Sequence, residues 1–305
     1  MKLLITELFT LPADVKERFI NIGLDVDYTD GTSVVDPAKY DVVYGQRPFA
    51  QYPYDEFINL KFLQLSSAGI DHLPVEDWLR DKVMISNAKG VYSAPIAEMI
   101  VMSILMSLKQ AKTFIDQQSR SEWKKHELRE LGFLKVLFLG SGDIAQESAS
   151  RLKAFGPLQI ALNTDGRAVS PFNVTGKLSE VHEYLRSADI VVNTLPLNNK
   201  THHLIDEAFF ASMKPNCTFI NIGRGKSVDE SALIKALDTD QLAFVYLDVF
   251  EDEPLPVNSP LWTHPKVFIT PHNSGSGQMM PERNYTLLLN NLQHYLRQEP
   301  LENAL

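Results

Sequence analysis

Four short segments of this chain concentrate the residues that can do chemistry. In the first, Lys135-Val136-Leu137-Phe138-Leu139-Gly140-Ser141-Gly142-Asp143-Ile144-Ala145-Gln146 reads as a strand, a G-x-G-x-x-A turn and the start of an amphipathic helix. The first glycine permits a tight turn, the second lets backbone approach a pyrophosphate, and the helix N-terminus offers unpaired N–H groups. Gly140, Ser141, Gly142, Asp143 and Ile144 are therefore expected to cradle a dinucleotide. The next strand ends Leu162-Asn163-Thr164-Asp165-Gly166-Arg167. Asn163 stands where an acid would repel a 2′-phosphate, and Arg167 is placed to meet one, so Asn163, Thr164 and Arg167 tilt the expected cofactor towards NADP. The other reading is NAD, with Asn163 on the ribose and Arg167 a solvated loop charge. The remaining segments are Asn221-Ile222-Gly223-Arg224-Gly225, Asp248-Val249-Phe250-Glu251-Asp252-Glu253-Pro254-Leu255-Pro256 and Thr270-Pro271-His272-Asn273-Ser274-Gly275. They place a guanidinium, a group of carboxylates and an imidazole at or just beyond strand ends, where open α/β sheets bind ligands.

The elements that must position these groups are legible as alternation. Short β-branched runs at 3–6, 24–28, 41–45, 62–65 and 83–86 recur between amphipathic stretches, and a second series follows at 135–140, 158–162, 189–194, 218–223, 244–250 and 267–270. The pattern predicts an α/β protein with parallel sheets and helical crossovers. Residues 93–274 are expected to form a Rossmann doubly wound cofactor domain. It would be inserted into a smaller, flavodoxin-like α/β substrate domain made of 1–92 and 275–305. A cleft between the two would be the natural site, with hinges near Tyr92 and Ser274. A helix is expected over about 94–118 and another from Pro281 to about Gln298, its apolar positions Leu288, Leu289, Leu292, Tyr295 and Leu296 packing on the first domain.

Composition narrows the function classes. The chain has 305 residues, 44% hydrophobic and 22% charged, with 29 Lys+Arg against 38 Asp+Glu and a formal net charge of −9. That excludes a collagen-like or disordered chain and argues against broad nucleic-acid or anionic-membrane binding. Cys217 is the single cysteine, so no intramolecular disulfide can form and a thiolate metal cage is not expected. His202-His203 lacks a ligand-spaced partner, and no metal is expected. The greasiest stretch, Ala94 to Leu108, falls short of the ~20 residues of a membrane helix and carries Glu98, so it reads as a buried core helix, with Met99, Met102 and Met106 as core. The N-terminal apolar run is broken by Glu7 before signal-peptide length, and a cytoplasmic location is expected.

Taken together, these motifs resemble the D-isomer-specific 2-hydroxyacid dehydrogenase family, which includes phosphoglycerate, glyoxylate/hydroxypyruvate and D-lactate dehydrogenases. The resemblance runs over most of the chain and takes in Ser66-Ser67-Ala68-Gly69-Ile70-Asp71, Asn87-x-x-Gly90 leading to Ala97-Glu98, and Thr194-Leu195-Pro196-Leu197. It implies an NAD(P)-dependent interconversion of a small D-2-hydroxy acid and its 2-keto acid, with Arg224, Glu253 and His272 catalytic. The chemistry agrees: a guanidinium binds carboxylate oxygens and stays charged, and an imidazole titrates near neutral pH. A neighbouring carboxylate favours the protonated, donating imidazole. Gly223 and Gly225 would leave room for substrate. Glu251 and Asp252 compete with Glu253 on sequence alone, and the family's E-P-L-P motif selects Glu253.

The resemblance further implies that Asp248 accepts a hydrogen bond from the nicotinamide carboxamide, and that Ala68 and Gly69, with Arg224 and His272, bind substrate. Thr194, Leu195, Pro196, Ile222, Gly223 and Ser274 would line the cofactor, and a two-fold homodimer would form around 94–130 with Trp123. Ser66 or Ser67 can instead simply stabilise their turn. Ala145 replaces the commoner third glycine, Asn198 a threonine, and Tyr246 a small residue before Leu-Asp-Val; these bear on cofactor pose rather than reaction type. Gln46 and Arg47 either face the cleft and favour a polar or anionic substrate tail or are surface residues. Two rivals remain: a dinucleotide-sensing interaction protein resembling a corepressor, and a formate or amino-acid dehydrogenase on a related fold.

Overall fold

The computed structural model describes residues 1–6, 13–29, 35–46, 49, 52–70, 73, 77–78 and 83–305; Glu7, Arg47 and Asp71 lie outside the described residues. The chain divides into two compact units, Met1–Tyr92 with Gly277–Leu305, and Ser93–Ser276. Among the described residues the α-helices are α1 (Ala13–Asn21), α2 (Ser93–Leu108), α3 (Ala111–Ser119), α4 (Asp143–Leu152), α5 (Val181–Leu185), α6 (Glu207–Ser212), α7 (Glu230–Asp238) and α8 (Met280–Arg297).

The first unit is built on β1 (Lys2–Ile5), β2 (Asp25–Tyr28), β3 (Val42–Gly45), β4 (Phe62–Leu65) and β5 (Met84–Ser86), all parallel in the order β2-β1-β3-β4-β5. That is the flavodoxin-like order. Tyr285, Leu288 and Leu292 of α8 recur at helical spacing and bury against Leu3, Ile5 and Phe19. Asn291, fully buried on the same helix, donates to Gln64 Oε1 (2.8 Å) and accepts from the Glu302 N–H (2.7 Å), fastening the C-terminal segment to the sheet.

The second unit holds β6 (Lys135–Leu139), β7 (Leu158–Asn163), β8 (Val174–Lys177), β9 (Ile190–Asn193), β10 (Cys217–Asn221), β11 (Leu242–Leu247) and β12 (Val267–Ile269). They form one parallel sheet in the order β12-β11-β10-β9-β6-β7-β8. The chain winds outward from β6 to β8, then crosses back to β9, so the strand order reverses between β6 and β9. That reversal is where doubly wound sheets open a ligand crevice. Strand β8 was not foreseen from the sequence. It is an edge strand that pairs only with β7 and leaves Val174 and Lys177 exposed, so Val-Thr-Gly-Lys carries no apolar run.

The helix expected over 94–118 is two helices, α2 and α3, separated by a 64° bend where Gln110 adopts a left-handed conformation. The core stripe of α2 is Ile96, Ile100, Ile104 and Leu108, an i, i+4 row; Met102 lies off it and is 37% exposed, against the expectation of a core residue. No single helix among the described residues is long and apolar enough to cross a membrane.

At the entry to β9, the buried Asp189 carboxylate accepts from the Lys135 N–H (3.0 Å) and pairs with Lys214 (2.6 Å) and Arg129 (2.9 Å). Burial pushes its pKa up, but the Lys214 hydrogen bond, the Lys135 N–H and the charges of Lys214 and Arg129 outweigh that and hold it below the ordinary aspartate value. A depressed carboxyl contributes stability that is complete above its unfolded pKa and is lost as pH falls through its folded one. Asp189→Asn is expected to lower the urea midpoint at neutral pH, with the gap to wild type narrowing below about pH 4. A gap independent of pH in denaturation curves would refute this.

Candidate active site

All seven strands of the second unit run parallel, so the turns that leave their C-terminal ends share one edge of the sheet. The glycine turn after β6 is shaped by packing. Gly140 has φ +100°, and a Cβ there would meet Thr194 Oγ1 at 2.7 Å, so only glycine fits. Thr194 is itself held by its hydroxyl on the Leu139 carbonyl (2.8 Å). A Cβ at Gly142, the N-cap of α4, would meet nothing within 4 Å, which leaves the first turn of α4 approachable by a phosphate. Ala145 is fully buried, so its methyl fits the helix–sheet contact where a glycine is commoner. Asp143 Oδ2 accepts from Ser93 Oγ at 2.5 Å, and Ile144 is half-buried in the same turn. Residues 140–144 and the α4 terminus thus fit a dinucleotide.

Asn163 at the end of β7 builds its own turn. Its Nδ2 donates to the Arg167 carbonyl (2.9 Å) and Ser141 Oγ (3.3 Å), and its Oδ1 accepts from the Gly166 N–H (2.7 Å). Thr164, Asp165 and Arg167 are all exposed at this turn, with Arg167 paired to Asp165 at 2.9 Å.

Arg224 follows β10, and a buried amide network sets its backbone. Asn193 and Asn221 are register partners on β9 and β10. Asn193 Nδ2 donates to Asn221 Oδ1 (2.9 Å) and Ser227 Oγ (2.7 Å), and Ser227 Oγ donates to the Arg224 carbonyl (2.6 Å). The flanking glycines are required by backbone packing. A Cβ at Gly223 would lie 2.8 Å from the Leu195 carbonyl oxygen, and one at Gly225 only 1.8 Å from that of Phe250. The Arg224 turn is therefore pressed onto the loop that follows β11. Ile222 and Leu195 are buried beneath it, and Pro196 is exposed, its carbonyl accepting from Thr201 Oγ1 (2.6 Å).

On that loop the structure separates Glu253 from Glu251. Glu253 Oε2 lies 2.7 Å from His272 Nδ1, while Glu253 Oε1 accepts from the Phe250 N–H (3.0 Å), fixing the carboxylate's orientation. Glu251 turns the other way: it pairs with His203 (3.1 Å) and accepts from the Glu230 N–H, as Glu230 accepts from the Glu251 N–H. Burial first, and the Glu251 and Asp252 charges after it, raise the Glu230 pKa. His272 has φ +50° and is exposed, held through its N–H on the Asp248 carbonyl (2.8 Å).

Asp248 is 1% exposed. Its Oδ1 accepts from Thr270 Oγ1 (2.5 Å), the Asn273 N–H (2.8 Å) and the Ser274 N–H (3.1 Å), and its Oδ2 from the Ser274 N–H (3.0 Å) and Ser274 Oγ. A carboxylate accepts about four hydrogen bonds, so this one is committed to the loop. The carboxamide contact expected from the sequence would require one of those donors to yield.

In the first unit, the loop after β4 has every carbonyl from 66 to 69 engaged. Ser66 O accepts from Tyr92 Oη, Ser67 O from the Ala88 N–H (3.0 Å), Ala68 O from Asn87 Nδ2 (3.0 Å) and Gly69 O from Ser67 Oγ (2.9 Å). Ser67 thus stabilises its turn, and the loop holds Ala68 and Gly69, the residues expected to bind substrate. Gln46 is exposed just past β3. Sequence reading had given no site role to Asn193, Ser227 or Thr270. The available signal was an asparagine ending each of two neighbouring strands, a residue type strands disfavour.

A family model for the D-isomer specific 2-hydroxyacid dehydrogenase NAD-binding domain matches residues 101–274. The glyoxylate reductase/hydroxypyruvate reductase of Homo sapiens is 32% identical over 255 residues, covering 81% of this chain and 77% of that protein. The glyoxylate reductase of Thermococcus gammatolerans is 31% identical over 229 residues, 72% of this chain and 68% of that protein. Among solved structures, a D-isomer specific 2-hydroxyacid dehydrogenase from Xanthobacter autotrophicus Py2, in complex with NADPH and MES, superposes with a TM-score of 0.88 at 29% identity, covering 100% of this chain and 97% of its own. Fold, glycine turn and relatives agree: the chain belongs to the D-isomer specific 2-hydroxyacid dehydrogenase family and is an NAD(P)-dependent 2-hydroxyacid oxidoreductase.

Proposed function

We propose that the protein reduces a small 2-keto acid of the glyoxylate or hydroxypyruvate kind to its D-2-hydroxy acid, preferring NADPH, with Arg224, Glu253 and His272 as catalytic groups. The observation that carries this is the 2.7 Å contact between His272 Nδ1 and Glu253 Oε2. A carboxylate can only accept, so Nδ1 bears the proton and Nε2 is the atom presented to substrate. The names of the relatives above support the substrate class, and the NADPH complex supports the cofactor preference. A bound reduced nicotinamide supplies the hydride. Arg224 holds the carboxylate and polarises the carbonyl oxygen. As that oxygen becomes an alkoxide, protonated His272 gives it the Nε2 proton, and Glu253 stabilises the charged imidazole until then. A protein that only sensed a dinucleotide would have no task for this trio, which disfavours the corepressor-like reading.

Arg167, exposed beside an Asn163 turned into its own loop, is the group we assign to a 2′-phosphate; its pairing with Asp165 must open to do so. The exposed apolar residues Met102, Phe114, Ile115 and Trp123 support a homodimer built on α2, α3 and the segment after them.

His272→Ala is expected to lower kcat with glyoxylate by about 10²–10⁴-fold while leaving the affinity for NADPH within about twofold; near-wild-type turnover in a spectrophotometric assay would remove His272 from the mechanism. Arg167→Ala is expected to raise KM for NADPH about tenfold, ~1.4 kcal/mol, with little change for NADH. Equal effects on both cofactors would argue for NAD. Sedimentation equilibrium should give twice the chain mass, and a monomer would refute the dimer.

A further inference from the structure

Tyr246 has no place in the catalytic scheme, yet it is fully buried and its hydroxyl is engaged. It lies on β11 opposite Phe268 of β12, the rings stacked at 5.5 Å and 27°. Packing alone would be served by phenylalanine, so the hydroxyl is the informative group. It sits 2.7 Å from Thr270 Oγ1, which in turn lies 2.5 Å from Asp248 Oδ1. These distances fix the direction of every proton. Asp248 can only accept, so the Thr270 hydroxyl donates to it, and the Tyr246 hydroxyl must therefore donate to Thr270. Burial pushes the Tyr246 phenol above its ordinary range and keeps it a donor.

The chain of hydrogen bonds ends at His272. Thr270 and Asp248 hold the loop on both sides of it: the His272 N–H lies on the Asp248 carbonyl, and the Asn273 and Ser274 N–H groups lie on the Asp248 carboxylate. A left-handed φ of +50° at a non-glycine residue persists only where the surroundings over-determine it. The imidazole hangs from that backbone, so a small rotation there carries Nε2 away from its reaction geometry. We propose that Tyr246 is a positioning residue for the proton-transfer step, acting through Thr270 and Asp248 to hold His272 in register with Glu253. The assignment rests on the role given to His272 above.

The test uses the full chain. Tyr246→Phe keeps the ring stack and removes one donor. It is expected to lower kcat with glyoxylate about tenfold while KM for NADPH stays within about twofold. Thr270→Val should do the same and Thr270→Ser should recover most of the loss, while the Tyr246→Phe/Thr270→Val double variant should be no worse than the more severe single one, as for one shared path. Independently of turnover, the His272 Nδ1 resonance in the ¹⁵N spectrum of the protein without substrate should move in Tyr246→Phe. Wild-type kcat with an unmoved resonance, or losses that multiply in the double variant, would overturn the proposal. If the wild-type chain reduces no 2-keto acid with either cofactor, the functional reading fails, and the His272 resonance still decides whether Tyr246 positions the imidazole.

Discussion

The C-terminal edge of the second unit's sheet depends on how a buried carboxylate is satisfied. Asp248 leaves the end of a largely buried strand with almost no exposure, and an ionised group there is costly unless donors surround it. The donors it finds are the Thr270 and Ser274 hydroxyls and the N–H groups of residues 273 and 274. Meeting that demand folds the segment after β12 back over β11 and puts His272 into a left-handed conformation that an unconstrained histidine would avoid. The geometry at the imidazole is thus a by-product of satisfying an acid beneath it. In the same way the orientation of Glu253 follows from the Phe250 N–H that its other oxygen accepts.

A second constraint is the closeness of backbones. Gly225 approaches the Phe250 carbonyl so nearly that no side chain can be accommodated, and Gly223 does the same to Leu195. These contacts link the turns after β9, β10 and β11 to one another. Asn193 and Asn221, side by side at the ends of their strands, add a buried hydrogen-bond network beneath Arg224. Partly satisfied networks of this kind are costly, whereas fully satisfied ones rigidify. The three proposed catalytic groups come from three different turns, and rigidity between those turns is what keeps their spacing.

Much of the architecture was legible because parallel α/β units repeat a simple pattern. Buried strands need apolar runs, and ten of the runs read from the sequence lie on strands near the expected positions, as does the run at 24–28 on β2. Strand β8 escaped because an edge strand needs no such run. The bend at Gln110 escaped because nothing in an apolar helix pattern marks a single left-handed residue. The glycines around Arg224 were read as leaving room for substrate; the structure adds a packing reason, the closeness of the Leu195 and Phe250 carbonyls.

By itself the sequence determined which residue types stand at the ends of which strands, and with that the dinucleotide turn and the arginine, acid and histidine segments. This follows from local rules, since strand ends, glycine turns and helix starts are specified within a few residues. Apart from the family motif that favoured Glu253, only the tertiary structure decided among neighbours. Glu253 rather than Glu251 reaches His272, Asn163 closes its own turn, and Asp248 holds a loop. Each of those outcomes turns on a partner 19 or more residues away, or on which way a short loop runs, and no local preference distinguishes one carboxylate from another two positions along.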